Sequence, residues 1–369
     1  MSERRLMEGS EALAEACIAA GCRFFAGYPM TPFTELLEHM ARRLPEEGGV
    51  CVNAESEIEA VGMAWGALAT GVRAATGSTG QGLSLMQESL AEITLARLPL
   101  VVFNMARGGS DYFQATRGGG HGDYRHIVLA PMDINEGVAL TQLAFHLADK
   151  WRNPVLVYGD YLLSHTYEAV DVSPLDFGDD LPAKDWAVDG RRDPRAKLVT
   201  MLGFSKHGEE SPGMAQGMER HFQAAVEHTA AMERGEPALV DVGFCDDADV
   251  VVVAFGTLAK FVRYVVRQLR ADGHRVGYVR PITLWPFPSE AVAAATKGAR
   301  AVAVLENSGG QMIDDVRLAV LGRAPVEFIG GISTDSSGFG VGDLLDTEVV
   351  RARIEAVLAS VVASEGAPA

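Results

Sequence analysis

Cysteine is scarce in this sequence, and none of it has the spacing of a cluster site. The 369 residues include four cysteines, at positions 17, 22, 51 and 245, and no Cys-x-x-Cys pair occurs. A cubane iron–sulfur cluster needs about four thiolates, usually closely spaced, and secreted disulfide scaffolds are much richer in cysteine. We therefore expect a cytoplasmic protein that holds no cluster of its own.

Long apolar runs and an excess of basic charge are also missing. The longest apolar stretches, 98–103 and 250–255, have strand length, whereas roughly 20 residues are needed to span a bilayer. Lys and Arg number 32 against 49 Asp and Glu, which gives a net charge of −17 and argues against nonspecific binding to nucleic-acid phosphates. The polar residues 1–10 do not resemble a signal peptide.

The sequence does have apolar content and an alternating pattern of strands and helices. Its 369 residues, 48% of them hydrophobic, allow two or three domains. Strand-like and helix-like stretches alternate up to about residue 165 and again from about 236. This pattern predicts an α/β protein with two doubly wound domains, 1–165 and 236–369, joined by an extended linker at 166–235.

Local signals suggest where the first helices begin. Ser10 is predicted to cap a helix that runs to Ala20. Thr31 is predicted to cap a helix whose first residue is Pro32, ahead of the helical stretch 34–43.

A helix rich in small residues, 55–68, is the most informative stretch. Glu57 lies near its start, after a short strand at 49–53. The small side chains would let a flat ring or another backbone come close. A solvated helix face is the plain alternative, because Glu55, Glu57 and Glu59 do not all lie on one side of a helix.

Two loops that follow predicted strands are candidates for a ligand site, because ligands of doubly wound domains bind at the carboxyl ends of the strands. Gly27–Pro32 contains two prolines that restrict the backbone and so could fix the Thr31 hydroxyl. Gly77–Gly82 opens a helix, where glycines let backbone N–H groups approach a ligand. It matches neither a dinucleotide-binding nor a phosphate-loop pattern, and a simple turn explains it equally well.

Arg107 ends the apolar strand 98–105, where it suits either a bidentate grip on a carboxylate or a surface ion pair. The following segment, 111–125, combines aromatic residues with glycines and is a candidate mobile loop over a site. His121 has no second ligand at helical or strand spacing, so no metal site is predicted. In the second domain, 280–288 and 306–312 are interpreted as structural turns and a contact with the first domain.

Taken in order, these motifs resemble the alpha subunit of the 2-oxoacid:ferredoxin oxidoreductases, which are thiamine-diphosphate enzymes. The resemblance covers nearly the whole chain. It rests on the motifs at 28–32, 55–68, 80–82, 107–109, 280–288 and 310–312.

Within that family, segments 111–116 and 118–124 look most like the 3-methyl-2-oxobutanoate (2-ketoisovalerate) type. The 2-oxoglutarate type is the close rival. The family usually carries several more residues between the Arg-Gly-Gly and Asp-Tyr-Phe segments, where this chain has only Ser110. This shortening leaves the identity of the substrate open.

The resemblance implies a pyrimidine-binding first domain and a transketolase C-terminal-like second domain. Glu57 would be the catalytic acid, hydrogen-bonded to the aminopyrimidine N1′ of thiamine diphosphate so that its imino tautomer is favoured. Thr31 and Arg107 would bind the carboxylate and carbonyl of the 2-oxoacid. The residues that would contact the cofactor besides Glu57 are Tyr28, Pro29, Gly80, Gln81 and Gly82.

The resemblance also implies partners. Because the chain lacks a convincing diphosphate-binding loop, thiamine diphosphate would be shared with a beta subunit. Mg²⁺ and iron–sulfur clusters are expected on partner subunits, which would include a gamma subunit and a ferredoxin-like delta subunit. The complex would use CoA as co-substrate to make acyl-CoA and CO₂, and ferredoxin would accept the electrons.

Two other interpretations stay open from the sequence. The substrate could be 2-oxoglutarate or an aryl 2-oxoacid, with Arg117 or Arg125 as the second carboxylate contact. Alternatively, the chain could be a noncatalytic scaffold subunit with a degenerate site.

Overall fold

The protein contains two β-sheets that are covered by helices, and a separate two-stranded sheet. The structure is a computed structural model that describes residues 4–178, 181–188, 190 and 214–363. The strands are β1 Arg5–Glu8, β2 Phe24–Gly27, β3 Val50–Asn53, β4 Ala74–Ser78, β5 Leu100–Ala106, β6 Ile127–Leu129, β7 Val155–Asp160, β8 Tyr167–Val170, β9 Val240–Gly243, β10 Val250–Val253, β11 Val276–Pro281, β12 Thr283–Trp285, β13 Ala301–Val304 and β14 Val326–Phe328.

Helices connect most of these strands. They are α1 Gly9–Ala19, α2 Thr34–Arg43, α3 Glu57–Ala69, α4 Gly80–Leu95, α5 Tyr112–Arg117, α6 Ile134–Trp151, α7 Tyr161–His165, α8 Met214–Gly235, α9 Gly256–Ala271, α10 Ser289–Ala295, α11 Met312–Val320 and α12 Thr347–Ala363. Short 3₁₀ turns lie at Leu44–Glu47 and Asp343–Leu345.

The larger sheet has seven strands in the order β12-β6-β7-β5-β4-β2-β3. Its strands pair in parallel except β12, which runs antiparallel to β6. Helices α1, α2 and α6 pack on one face, and α3 and α4 on the other. Strand β5 is buried along its whole length, as its apolar sequence predicts for a sheet that is covered on both faces.

The smaller sheet has five strands in the order β14-β13-β10-β11-β9, all parallel except β9. Helices α9 and α12 cover one face, and α10 and α11 the other. In α9 the buried residues Leu258, Val262 and Leu269 recur at helical spacing and pack on the sheet. The predicted class, α/β with two doubly wound domains, is confirmed, whereas the domain boundaries stay a prediction.

The predicted cap of the first helix is wrong. Helix α1 begins at Gly9, its N-cap is Glu8, and Ser10 lies buried in the first turn. Strand β1 leads directly into α1, and the Gly9 N–H is bound by the Thr166 carbonyl at 3.0 Å. A tertiary backbone contact therefore replaces the side-chain cap that the local sequence suggests.

The second predicted cap is also wrong, although the helical stretch 34–43 is confirmed. Thr31 and Pro32 lie in a turn in which the Phe33 N–H donates to the Met30 carbonyl at 2.7 Å. Phe33, not Thr31, is the N-cap of α2, and its side chain caps nothing. The Thr31 side chain is therefore not engaged in capping.

Several elements were not predicted from the sequence, and for two strands the reason is that their pairing partners are remote in sequence. The four-residue strand β1 near the start of the chain pairs with the four-residue strand β8, which lies just past residue 165. Helix α5 lies within the segment expected to be a mobile loop. Within the predicted linker 166–235, the stretches 171–178 and 181–188 contain no helix or strand, whereas β8 and α8 lie at its two ends. Residues 179–180, 189 and 191–213 of this linker lie outside the described residues.

The chain passes from the smaller sheet to the larger one between β11 and β12. Polar contacts also join the two sheets. Arg280 at the end of β11 is 3% exposed and binds both carboxylate oxygens of Glu136 in α6, at 2.8 and 2.9 Å. The Thr257 hydroxyl at the start of α9 donates to the carboxyl of Asp160 at the end of β7. Within the described part of the chain, no helix is long and apolar enough to cross a membrane.

Replacing Arg280 with Ala should destabilise the chain by about 2 kcal/mol, because it leaves the Glu136 carboxylate partly buried without its cation. Urea unfolding measures the effect. The matched control is Arg317→Ala, which removes an exposed pair with Asp314 at 3.5 Å and should change the stability by less than about 0.5 kcal/mol. Equal effects of the two substitutions would contradict the proposed importance of this contact between the sheets.

Candidate active site

The candidate site lies at the carboxyl ends of four neighbouring parallel strands. Asn53, Gly27, Gly77 and Phe103 stand in register across β3, β2, β4 and β5. The loops that follow these strands therefore emerge at one edge of the sheet. Helix α2 leaves toward one face and helices α3 and α4 lie on the other, which opens a crevice of the kind that binds ligands in doubly wound folds.

Glu57 is the buried acid of this edge. It is the first residue of α3, is 2% exposed, and its Oε1 accepts a hydrogen bond from the Ser78 hydroxyl at 3.0 Å. Glu55 and Glu59 are exposed, because they point away from the sheet while Glu57 points toward it. The solvated-face interpretation therefore does not hold for Glu57.

Glycine at the start of α4 makes room for two carboxyl groups. A Cβ atom on Gly82 would lie 2.4 Å from the Oε1 of Glu57 and 2.0 Å from the Ser78 hydroxyl. A Cβ on Gly80 would lie 2.1 Å from the Oδ1 of Asp111. Gln81 between them is exposed. These positions accept only glycine if the carboxyl groups are to keep their places.

The loop after β2 contacts its neighbours through Met30 and Thr31. The Thr31 carbonyl accepts a hydrogen bond from the Nε of Arg107 at 2.9 Å, and the Thr79 hydroxyl donates to the Sδ of Met30. Tyr28 is half-buried and Pro29 is exposed. The structure thus brings Thr31 and Arg107 together through the Thr31 backbone.

Arg107 presents one free edge. Its Nε is bound to Thr31, and its guanidinium lies 4.7 Å from the ring centroid of Phe339 in the second domain. With the described residues, its two Nη atoms make no hydrogen bond. These paired donors have the geometry to bind a carboxylate with two parallel hydrogen bonds.

Asp111 lies beside Arg107 and against Gly80. Burial raises the pKa of its carboxyl, and the hydrogen bond from Asn104 at 3.2 Å and the charge of Arg107 oppose that shift. Asn104 is itself completely buried in β5. Asn104 was not predicted as a site residue. Its one signal in the sequence is that it is a polar residue in an apolar strand.

A cleft of about 350 Å³ opens between the two domains at this point. Gly80, Gln81, Arg107 and Asp111 line it from the first domain, and Asn307 and Thr334 from the second. The site is therefore formed by both domains.

The second domain holds the segment that follows Arg107. The side-chain amide of Gln311 donates to the Ser110 carbonyl at 2.7 Å and accepts from the Phe113 N–H at 2.8 Å. The Gly109 N–H donates to the Asn307 carbonyl at 2.7 Å. The predicted contact of 306–312 with the first domain is thus present, and it reaches the site itself.

The two arginines considered for a second carboxylate contact are engaged elsewhere. Arg117 forms a bidentate pair with Asp315 at 2.9 and 3.1 Å, and Tyr112 donates to the same carboxylate. Arg125 donates to the carbonyl oxygens of Arg117 and Tyr124. The segment expected to be a mobile loop is therefore anchored over residues 110–117, and neither arginine lines the cleft.

Comparison with known proteins identifies two family domains. Residues 15–237 match the family described as pyruvate flavodoxin/ferredoxin oxidoreductase, thiamine diphosphate-binding, and residues 248–337 match pyruvate:ferredoxin oxidoreductase core domain II. The chain is 37% identical over 329 residues to the ketoisovalerate oxidoreductase subunit VorB of Methanothermobacter marburgensis, a match that covers 85% of this chain and 89% of the relative.

Two further similarities concern 2-oxoglutarate enzymes. The 2-oxoglutarate synthase subunit KorA of Methanothermobacter marburgensis is 35% identical over 356 residues, covering 89% of this chain and 94% of the relative. The solved 2-oxoglutarate:ferredoxin oxidoreductase of Magnetococcus marinus, with 2-oxoglutarate, coenzyme A and succinyl-CoA bound, has a TM-score of 0.76 and 26% identity. That match covers 96% of this chain and 65% of the solved chain.

The two doubly wound domains, with a thiamine-diphosphate-binding module first, define a subunit of an oxidoreductase. The chain belongs to the 2-oxoacid:ferredoxin oxidoreductase family. The resemblance that the sequence motifs indicated is thereby confirmed, while the functions of individual residues stay proposals.

Replacing Gly82 with Ala should destabilise the chain by about 1–3 kcal/mol, because the new methyl group overlaps Glu57 and Ser78. Gly62→Ala is the matched control, since a Cβ there meets no atom within 4 Å on the exposed side of α3. It should stabilise the helix by about 0.5–1 kcal/mol. Urea unfolding of the purified chain tests both, and a Gly82→Ala chain as stable as the unsubstituted chain would refute the close packing.

Proposed function

We propose that this chain is the alpha subunit of a thiamine-diphosphate-dependent 2-oxoacid:ferredoxin oxidoreductase. The complex converts a 2-oxoacid and CoA to acyl-CoA and CO₂, and two electrons pass one at a time to ferredoxin. The observation that carries the proposal is the buried Glu57 carboxyl, packed against Gly82 at the start of the helix whose Gly80 and Gln81 line the cleft with Arg107.

The residues at the start of α4 fit the pyrimidine end of thiamine diphosphate. Ser78 occupies Oε1 of Glu57, and Oε2 makes no hydrogen bond with the described residues, so it is available to the aminopyrimidine N1′. Gly80 and Gly82 add no side chains at the start of α4, and Gly80 and Gln81 line the cleft. Tyr28 and Pro29 are assigned to the same cofactor site in this proposal, from the loop that follows β2. When bound, the cofactor supplies the nucleophilic carbon that attacks the 2-oxo group.

Arg107 binds the carboxylate of the 2-oxoacid in this proposal. Its free Nη edge offers two parallel donors, and a charge-assisted bidentate contact fixes orientation as well as adding affinity. Thr31 holds the guanidinium from its other side through the backbone carbonyl, and in this proposal its hydroxyl contacts the substrate as well. Together they orient the substrate for attack at the 2-oxo carbon.

A branched-chain 2-oxoacid such as 3-methyl-2-oxobutanoate is the substrate that we favour. Among the described residues that line the cleft, Arg107 is the one cation, and Ile332 adds apolar surface. The second carboxylate of 2-oxoglutarate would meet no cation there and would lie near Asp111, which disfavours binding. The match to a ketoisovalerate oxidoreductase subunit supports the same choice.

2-Oxoglutarate is the second candidate, because the match to KorA is nearly as strong. It would require a cation from a partner subunit. A scaffold subunit without catalysis is a third candidate. It would be favoured if the assembled complex failed to bind thiamine diphosphate.

The diphosphate half of the cofactor site belongs to a beta subunit in this proposal. Among the described residues, no cluster of three or more His, Cys, Asp or Glu is placed to hold a metal ion. Cys17, Cys22 and Cys51 pack in one hydrophobic core and Cys245 packs against another, so the four thiols do not converge on one cluster site. Mg²⁺ and iron–sulfur clusters are therefore assigned to the beta and ferredoxin-like delta subunits, and a gamma subunit completes the complex.

The exposed side of α3 and α4 is the surface that we assign to the beta subunit. Ile58, Met63 and Leu85 are large apolar side chains exposed there, and Gly62 and Gly66 leave the α3 backbone open. This surface lies on the two helices that carry Glu57 and Gly80. A partner that docks there would reach the half of the cofactor that this chain does not hold.

Substituting Glu57 with Gln in the assembled complex should reduce CoA-dependent reduction of a viologen dye by at least about 100-fold, because the acid that activates the cofactor is lost. Assembly, followed by size-exclusion chromatography, should survive. Glu59→Gln, at an exposed position two residues away, should stay within about twofold of wild type. A fully active Glu57→Gln complex would refute the assignment.

The same assay separates the substrates. With saturating CoA, kcat/KM for 3-methyl-2-oxobutanoate should exceed that for 2-oxoglutarate by about tenfold or more, since a carboxylate left without a cation costs at least about 1.4 kcal/mol. Pyruvate and indolepyruvate complete the panel. A preference for 2-oxoglutarate would overturn the substrate choice and leave the enzyme class intact.

A further inference from the structure

The guanidinium of Arg107 is oriented by two contacts that come from different domains. The carbonyl of Thr31 binds Nε from the first domain, and the ring of Phe339 lies 4.7 Å from Cζ in the second. A single hydrogen bond at Nε leaves the plane of the group free to turn. An aromatic face adds the missing restraint, because a guanidinium prefers to lie over the ring.

Phe339 is held in a tightly organised turn, residues 333–342. The carboxylate of Asp335 accepts hydrogen bonds from the Ser337 N–H, the Ser337 hydroxyl and the Gly340 N–H, at 3.0, 2.6 and 3.2 Å. Thr334 and Val341 form a backbone bridge across it. The turn therefore presents Phe339 in a defined place.

Asn307 ties this turn to the segment that follows Arg107. Its side-chain amide donates to the Ser333 carbonyl at 3.0 Å and accepts from the Ser333 N–H at 2.8 Å. Its own carbonyl accepts from Gly109 at 2.7 Å. One residue thus fixes the distance between the turn and the Arg107 segment.

We infer that Phe339 is a positioning residue for the 2-oxoacid: it sets the plane of the Arg107 guanidinium so that both Nη atoms meet the substrate carboxylate. The inference rests on the proposed function, since it assumes that Arg107 binds the 2-oxoacid. It makes the second domain part of substrate recognition. Phe339 does not itself need to touch the substrate.

The test replaces Phe339 with Leu, which keeps apolar bulk and removes the aromatic face, in the assembled complex. Kd for 3-methyl-2-oxobutanoate is measured by equilibrium dialysis of complex freed of thiamine diphosphate, and KM and kcat are measured in the loaded complex. Kd and KM for the 2-oxoacid should rise roughly fivefold, as expected for the loss of a cation–π contact. KM for CoA should be unchanged and kcat should stay within about twofold, because Arg107 and Thr31 are still present to orient the substrate once it is bound and only the cost of binding it rises.

Two variants separate positioning from general damage. Phe339→Tyr retains the ring and should restore Kd and KM to within about twofold of wild type. Phe244→Leu removes the ring of another arginine–aromatic pair in the second domain, 5.6 Å from the Cζ of Arg270 and outside the residues that line the cleft, and should change neither constant.

Each outcome decides the question. Wild-type affinity in Phe339→Leu, or equal weakening in Phe339→Leu and Phe339→Tyr, would overturn the inference and leave the proposed function standing. A wild-type complex that binds none of the 2-oxoacids would overturn both. If the wild-type complex binds the 2-oxoacid without turning it over, the dialysis series alone decides on Phe339.

Discussion

The candidate site depends on the in-register ending of parallel strands. Because Asn53, Gly27, Gly77 and Phe103 are neighbours across the sheet, the loops after β2, β3 and β4 begin side by side. Strand β5 continues three residues further, to Ala106, and brings Arg107 to the same edge. Backbone hydrogen bonds of the buried sheet fix that register, and a slip by one residue would turn every buried side chain to the wrong face. The chemistry of the site is therefore a consequence of how the sheet is paired.

At this edge of the sheet, the side chains of Glu57 and Arg107 are each held by a hydrogen bond that leaves some of their polar atoms unpaired. Glu57 uses one oxygen for Ser78, and Arg107 uses Nε for Thr31. What remains open, one carboxyl oxygen and one pair of guanidinium donors, is the part that a cofactor and a 2-oxoacid would use. The second domain stabilises this arrangement through Asn307 and Gln311.

The sequence predicted the fold class. It also predicted which loops follow the strands of the first domain. Strand β5 and the glycines of 80–82 carry local signals, an apolar run and a close-approach turn, that do not depend on distant contacts. The two helix caps at Ser10 and Thr31 were wrong because a backbone contact and a turn took the place of the side-chain caps.

The segment 306–312 was expected to contact the first domain, but the side chains that pair across the two domains could not be predicted. From the sequence, Arg117 was a candidate for binding a substrate carboxylate. In the structure it forms an ion pair with Asp315, which lies 198 residues later in the chain. The sequence around Phe339 gives no signal of its role, because that role depends on the contact between its ring and Arg107. Pairings of this kind depend on how the two sheets pack against each other.

The most direct test of the account is a structure of the complex of this chain with its partner subunits and thiamine diphosphate. The account predicts that a carboxyl oxygen of Glu57 lies within hydrogen-bonding distance of the aminopyrimidine N1′, with the diphosphate held by the partner. A cofactor whose N1′ faces a different group, or one bound entirely by the partner, would contradict it.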